Sequence, residues 1–481
     1  MTEKRHSLRG AFTLGTASAI NYLLQFILPI LLVRSLDTVE FGQYRVLWLV
    51  ANTVMAIAPL YMPQSLFYFL PRADKQKKAY IANVVWFLVF MASLGALVVS
   101  PWNPLRPDIM QDLPGAGGLV PAFVLLWVSS SLIEWLANAE GRIRAQARII
   151  ITLSLARVLI IGLTAWLTND ILAVFIALSL FALMRCLIVL LDIFKRNGKE
   201  ALIPNKKMMH EQLAYAAPFG VAGMFYRLRQ QSDQWIAASL FSLQQFASFS
   251  ISIVVLPLAS LIRQAVSNAI LPSMNARHHD GDILGAVEIN RDANTLTAAL
   301  LFPVLAFLFV FAEEVIALIY TDLYVSGAQP MRIYLLGLVG QAFVVNNLLI
   351  TLAQGGFQMR LNGLFLPIAI ILSFAGAQIF GLMGAALGSA ITQWGSHMIS
   401  IRYVSRISRI EIFRLLDLRA LLQFSVCASV AGLLAYVSAN TLDIKEPILS
   451  LIVSGFVFSI VYILAVLPTH SIQRLYAALK H

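Results

Sequence analysis

The chain has 481 residues, of which 59% are hydrophobic and only 12% charged, and its mean hydropathy is +0.78. A soluble globular domain is excluded, since such domains carry roughly a quarter of their residues as Asp, Glu, Lys and Arg. The net charge of +11 does not call for nucleic acid: with the N-terminus inside, most Lys and Arg fall in or beside cytoplasmic connections, as the positive-inside rule requires.

Apolar runs of span length recur along the whole chain, which predicts an all-α polytopic membrane protein of about 14 transmembrane helices: two pseudo-symmetric six-helix lobes plus two C-terminal helices. The basic N-terminus leads into the first span (11–33) without a small-residue cleavage site, so that span reads as a retained helix rather than a signal peptide. The second span (41–70) contains Pro59 and Pro63, which predict a kink, and Arg72, Lys75, Lys77 and Lys78 mark a cytoplasmic loop after it. Spans three (80–100) and four (119–138) flank a Pro/Gly-rich outer loop. Spans five (149–167) and six (171–194) form a hairpin through Asn169 and Asp170.

The polar, basic stretch 195–212 is the strongest boundary. It divides the chain into an N-terminal six-helix lobe (1–200), a C-terminal six-helix lobe (201–410), and two additional helices with a cytoplasmic tail (411–481). Span seven covers 213–240, and span eight runs to Leu271. The longest cytoplasmic connection is 272–294, and spans nine (295–320), ten (331–353), eleven (361–380) and twelve (383–403) follow. Spans thirteen and fourteen end before Pro468. A weak repeat aligns 33–44 (VRSLDTVEFGQY) with 238–249 (ASLFSLQQFASF), which predicts a pseudo-twofold axis along the membrane normal with a cavity between the lobes.

Chemistry concentrates in span seven, at YRLRQQSDQW (226–235). Arg227 falls near the bilayer midplane, where an Arg or Asp costs roughly 2.5–3.5 kcal/mol on insertion scales. Helical spacing places Arg227, Gln230, Gln231 and Gln234 on one face and lets Arg229 partner Asp233. A wet cationic cavity for an anionic substrate accommodates these groups. In span eight, Ser260, Arg263, Gln264, Ser267 and Asn268 make a polar stripe, so Arg263 either lines the lumen or snorkels to the interface.

Span four carries Ser130, Ser131, Glu134 and Asn138, and Arg157 in span five lies at a similar depth. A Glu134–Arg157 pair is therefore predicted, either as a structural ion pair or as part of the cavity, with Arg185 a candidate for the same cluster. Arg45 is either an outer-interface anchor or a member of a face with Asn52 and Pro59. Glu313 and Glu314 read as interfacial, and His397 as a core histidine or a proton carrier. The two cysteines, Cys186 and Cys427, both lie within spans, so neither a disulfide nor a metal cluster is indicated. HHDGD (278–282) reads as a solvated turn. No GxxxxGK phosphate loop is present, so transport would draw on an ion gradient, the membrane potential or the substrate's own gradient.

Four stretches, FGQYRVLWLV (41–50), SDQWIAASLFSLQQFASFS (232–250), FAEEVIALIYTDLYVSGAQPMRIYLLGL (311–338) and GLMGAALGSAI (381–391), carry a resemblance. The chain resembles the polysaccharide-exporter branch of the multidrug/oligosaccharidyl-lipid/polysaccharide superfamily, the bacterial flippases of O-antigen and exopolysaccharide repeat units. The resemblance covers nearly the whole chain, most specifically 11–70 and 213–400. It implies a cationic lumen through which undecaprenyl-pyrophosphate-linked oligosaccharides cross from the cytoplasmic to the outer leaflet by alternating access.

The site residues it implies are Arg227, Arg229 and Arg263 for the lumen arginines and Asp233 for the family's recurring Asp. With the groups read from spacing, the substrate-binding candidates are Arg227, Arg229, Arg263, Arg157, Arg45, Gln230 and Gln234. The ion-coupling candidates are Asp233 and Glu134. The expected partners are the lipid-linked oligosaccharide and membrane lipid, with a polysaccharide polymerase and a chain-length regulator; no cofactor, metal or nucleic acid is expected. The expected location is the bacterial cytoplasmic (inner) membrane, with both termini cytoplasmic.

Two departures from the family pattern stand out: Ile319-Tyr320-Thr321-Asp322-Leu323-Tyr324 lacks the usual Gly, and the second-half turn reads Ala247-Ser248-Phe249. A flippase of the lipid-linked peptidoglycan precursor is the nearest rival. A multidrug exporter of the same fold would favour acidic groups for organic cations. A membrane polymerase or ligase would need a large outer loop, and the outer loop 101–118 is short, so the chain is not expected to be an enzyme.

Overall fold

A computed structural model describes residues 2–73, 76–104, 106–198, 202–442 and 446–469, with side chains from Thr13 onward except at Leu258. Lys75, the centre of the 195–212 boundary (199–201) and the tail from 470 lie outside the described residues. Among the described residues the regular structure is helical, and ten helices are long and apolar enough to cross a membrane, or eleven if one bent pair is a single span. The protein is a multi-pass membrane protein. By contact the chain falls into two compact units, 1–231 with 238–247, and 232–237 with 248–481.

In the first unit α1 (Thr2–Leu32) packs along α7 (Ile143–Thr168), where small residues allow close approach and Ser154 Oγ donates to Asn21 Oδ1 at 2.7 Å. The start of α2 (Thr38–Ile57) is fixed by a capping box: Asp37 accepts from the Glu40 backbone, and the Glu40 side chain accepts from the Asp37 backbone. A second Glu40 oxygen accepts from Ile171 N at 3.3 Å, which ties this end to α8 (Ile171–Asn197). Asn169 and Asp170 make the α7–α8 hairpin as expected, Asn169 with φ of 46° and Asp170 capping Leu172.

The proline kink in span two is present. It separates α2 from α3 (Met62–Phe69) by a 41° bend, with Leu60 and Tyr61 at positive φ. The kink is filled by Gly220 on α9 (Lys206–Leu240), where a Cβ would sit 2.5 Å from the Leu60 carbonyl carbon. Behind it, α4 (Lys77–Val99) contributes Asn83 to a fully buried polar node. Gln212 accepts from Asn83 and donates to Ser65 Oγ at 3.0 Å, and Asn83 Oδ1 caps the backbone of Asn205 at 2.8 Å. Span four is interrupted: α5 (Leu119–Ser129) tightens into a 3₁₀ turn at Ser130–Glu134 before the short α6 (Leu136–Ala139).

Helices α9 and α10 (Leu243–Ser252) contribute residues to both units. In the second unit α11 (Val255–His279) and α12 (Ile283–Val310) form a hairpin closed by Asp280–Asp282 alone. The long 272–294 connection predicted from sequence is therefore mostly helix. Charged residues lower hydropathy without breaking a helix, and here Asp282 caps Gly285 N and pairs with Arg277 at 3.0 Å. Next come α13 (Ala312–Tyr320), a 3₁₀ turn at Asp322–Gly327, and α14 (Ala328–Val339). Span ten continues through another 3₁₀ turn, Gly340–Phe343, into α15 (Asn346–Thr351).

The continuous assignment α16 (Gly355–Ser408) reverses at Gly381, whose φ of 59° and ψ of −142° an L side chain rarely adopts. After the short α17 (Ile412–Leu415), α18 (Leu418–Leu442) and α19 (Pro447–Val466) pack on α12 through Phe424, Phe458 and Tyr462, and Tyr462 Oη donates to Ala299 O at 2.9 Å. The last two helices are thus built into the second unit.

Candidate functional site

Arg227 on α9 is exposed and makes no ion pair among the described residues, and Gln230, one turn on, donates its amide to Tyr226 Oη at 2.9 Å. Gln231 accepts from Thr53 Oγ1 at 2.9 Å, a link from α9 to α2 within the first unit. Arg229 turns inward, 8% exposed, with its guanidinium 5.8 Å from the Tyr226 ring centre. The predicted Arg229–Asp233 pair is not formed. Asp233, 1% exposed, instead accepts a 2.6 Å hydrogen bond from Tyr334 Oη on α14, and its other oxygen accepts from the backbone of Gln234, which is half-buried. A neutral hydroxyl holds this carboxylate where the spacing suggested a guanidinium.

The second correction is of the same kind. Glu134 pairs with Arg185 on α8 at 2.7 Å, and not with Arg157. Arg185 is 4% exposed and lies over Trp127, 4.0 Å from its ring centre, while the Glu134 side chain is 48% exposed. The 3₁₀ turn at Ser130–Glu134 re-aims Glu134 relative to a regular helix, which is why depth counted in α-helical residues selected the wrong partner. Arg157 remains half-buried on α7, with its guanidinium 5.7 Å from the Trp48 ring centre and its Nε buried without a hydrogen bond. Arg45 is half-buried on α2, next to Tyr44, which interacts electrostatically with both Arg45 and Arg157.

The polar stripe of α11 divides. Ser260, Gln264 and Asn268 are exposed, whereas Arg263, at the edge of the arc, is 7% exposed. Its guanidinium donates to Asn294 Oδ1 at 2.8 Å, to Thr297 Oγ1 at 3.5 Å and to Val344 O at 3.4 Å. That carbonyl is freed where span ten breaks between its 3₁₀ turn and α15, and Asn290 also donates to it. Arg263 is therefore buried within its own unit and closes a helix break. Glu313 pairs with Arg332 at 2.8 Å.

Sequence reasoning missed Tyr334, Asn290, Asn294, Asn83 and Gln212. A polar amide or phenol inside an apolar run was the available signal, because such groups must find partners away from lipid.

A family model described as polysaccharide biosynthesis protein matches residues 7–278, and the chain belongs to this family. No curated protein matches the chain by sequence. Its fold is similar to that of the lipid II flippase MurJ in an inward closed conformation, with a TM-score of 0.66 at 14% identity over 93% of this chain and 97% of that one. It is also similar to an inward-facing multidrug resistance MATE family transporter of the MOP superfamily, with a TM-score of 0.55 at 13% identity over 81% of this chain and 95% of that one. A MOP superfamily transporter from Pyrococcus furiosus matches with a TM-score of 0.55 at 11% identity over 83% and 96%. The fold is that of the superfamily which the sequence resembles.

Proposed function

We propose that the protein is a flippase that translocates undecaprenyl-pyrophosphate-linked oligosaccharide repeat units, of O-antigen or exopolysaccharide, from the cytoplasmic to the outer leaflet by alternating access through a cationic lumen. The observation that carries this reading is Arg227, an exposed guanidinium beside Gln230 in the middle of a long helix, in a chain of the polysaccharide biosynthesis family. A guanidinium suits a pyrophosphate because it offers charge-assisted, bidentate hydrogen bonds and keeps its charge out of water. Arg229, Arg157 and Arg45 would add to the same electrostatic field, Gln234 is proposed as a further hydrogen-bonding group for substrate, and Arg263 would shape the helix break rather than touch substrate.

Asp233 and Glu134 are the carboxylates proposed to exchange a proton during the cycle. The proposed location is the bacterial inner membrane with both termini cytoplasmic, where a polysaccharide polymerase and a chain-length regulator would take the product. The fold similarity to a lipid II flippase supports the rival substrate, the lipid-linked peptidoglycan precursor.

Proteoliposomes carrying a fluorescent undecaprenyl-pyrophosphate oligosaccharide in one preparation and lipid II in another separate the two. The proposal expects flipping of the first and a loss of at least tenfold in Arg227→Ala. Flipping of lipid II alone would establish the rival, and movement of an organic cation in place of either lipid would overturn the lipid-linked substrate class.

A further inference from the structure

Beyond Arg227, towards the Lys206 and Lys207 end of α9, aromatic rings from two helices form a continuous ladder within the first unit. Tyr61 lies 5.4 Å from Phe219, Phe219 lies 5.6 Å from Tyr215, and Tyr215 stacks on Tyr68 at 4.5 Å with an interplanar angle of 22°. Arg72 covers the far end, its guanidinium 3.9 Å from the Tyr68 ring centre and bonded to Tyr68 O at 2.8 Å. The rings are open: Tyr61 and Tyr68 are each 39% exposed, Tyr226 42% and Phe219 54%. The bend at Leu60–Tyr61, set on Gly220, is what turns Tyr61 towards Phe219.

Two features distinguish this ladder from an aromatic belt at the lipid headgroups. Tyr226 lies outside the ring contacts but shares the α9 face of Tyr215 and Phe219, and Tyr215 to Tyr226 covers about 16 Å of helix at 1.5 Å per residue, deeper than an interfacial band. At 100° per residue, Tyr215, Phe219, Tyr226 and Gln230 also fall within about 60° of arc, so the ladder continues into the face that holds an amide and, beside it, Arg227. A lipid-facing stripe would not carry those groups.

The chemistry of the ladder is that of a saccharide platform. A pyranose presents flat apolar C–H faces ringed by hydroxyls, and a phenol offers an apolar face with a polar edge. Resting on the proposed function, we infer that Tyr61, Tyr68, Tyr215 and Phe219 bind the oligosaccharide of the lipid-linked substrate, with its pyrophosphate at Arg227 and its sugars running towards Arg72.

The test compares flipping of two lipids in proteoliposomes, undecaprenyl-pyrophosphate bearing one N-acetylglucosamine and the same lipid bearing a tetrasaccharide. In Tyr68→Leu and Phe219→Leu the ratio of tetrasaccharide to monosaccharide flipping is expected to fall about tenfold, and Phe219→Tyr is expected to restore it. Arg227→Ala is expected to lower both rates together and leave the ratio unchanged. A ratio that stays constant in the ladder variants while both lipids still move, or the loss of both lipids together, overturns the inference.

Binding of the free tetrasaccharide to the detergent-solubilised full chain, followed by intrinsic fluorescence, separates the two claims. Binding that disappears in Phe219→Leu while wild type flips neither lipid would retain the saccharide platform and overturn the transport reading. No binding by wild type that does flip the lipids overturns the platform alone.

Discussion

Glu134 Oε1 lies 2.7 Å from Arg185 Nη2, and the same guanidinium sits over the Trp127 ring, 4.0 Å from its centre. A buried cation is thereby neutralised from one side by a half-exposed carboxylate and from the other by a ring face. Because Glu134 keeps access to solvent, the pair should couple by only about 1–2 kcal/mol, below the cost of breaking a fully buried pair. A double-mutant cycle on thermal unfolding in detergent, with Glu134→Ala and Arg185→Ala, is expected to show that coupling. The cycle of Glu134→Ala with Arg157→Ala should be additive within about 0.5 kcal/mol. Coupling to Arg157 in place of Arg185 would contradict the geometry.

The helical, multi-pass character, the proline bend and the arginines placed within helices were legible because each is a local property of sequence: an apolar run, a missing N–H, a guanidinium among leucines. Of the 14 expected spans, ten or eleven helices among the described residues are long and apolar enough to cross a membrane. Partners were not. Arg185 and Glu134 are 51 positions apart, and Tyr334 and Asp233 are 101 apart, so which helices meet depends on tertiary packing. The 3₁₀ turn at Ser130–Glu134 added a local rotation that no spacing rule contained. The 272–294 misreading has a different origin. Hydropathy detects lipid contact rather than helix, so where α11 and α12 continue in charged residues the signal ends before the helix does.

The arginines are expected to separate by role. Arg263 serves three acceptors at a helix break, and Lys has neither the reach nor the planar fork to satisfy them. Arg263→Lys should destabilise by about 1–3 kcal/mol, since Val344 O and Asn294 lose a charged donor. Arg227→Lys should leave thermal unfolding unchanged, because Arg227 is exposed and makes no ion pair among the described residues, yet lower flipping of a pyrophosphate-linked lipid. Equal losses of stability in the two variants would show that Arg227 is structural.

Two glycines on one helix offer an internal control. A Cβ at Gly220 meets the Leu60 backbone, whereas a Cβ at Gly223 meets nothing within 4 Å. Gly220→Ala should force the bent span outward and cost about 1–3 kcal/mol, the usual range for overpacking. Gly223→Ala should be neutral or stabilise by up to about 1 kcal/mol through helix propensity. Thermal unfolding of both variants in the same detergent measures the difference, and comparable behaviour would mean that α9 does not press on the bend.

Asp233 is nearly inaccessible and receives its shortest hydrogen bond from Tyr334, so its two protonation states differ in what the hydroxyl can do. The ionised carboxylate accepts from Tyr334 Oη, while the neutral acid can donate to it and release the helix that carries it. Asp233→Asn keeps an acceptor for the hydroxyl and should fold within about 1 kcal/mol of wild type. It should also abolish any response of flipping to an imposed pH gradient. Tyr334→Phe strips a buried carboxylate of its strongest donor and should cost about 1–3 kcal/mol while keeping some response to the gradient. Flipping in proteoliposomes with and without the gradient, read beside thermal unfolding, distinguishes these outcomes. A gradient response that persists in Asp233→Asn would remove Asp233 from the coupling and leave Glu134 as the carboxylate to test.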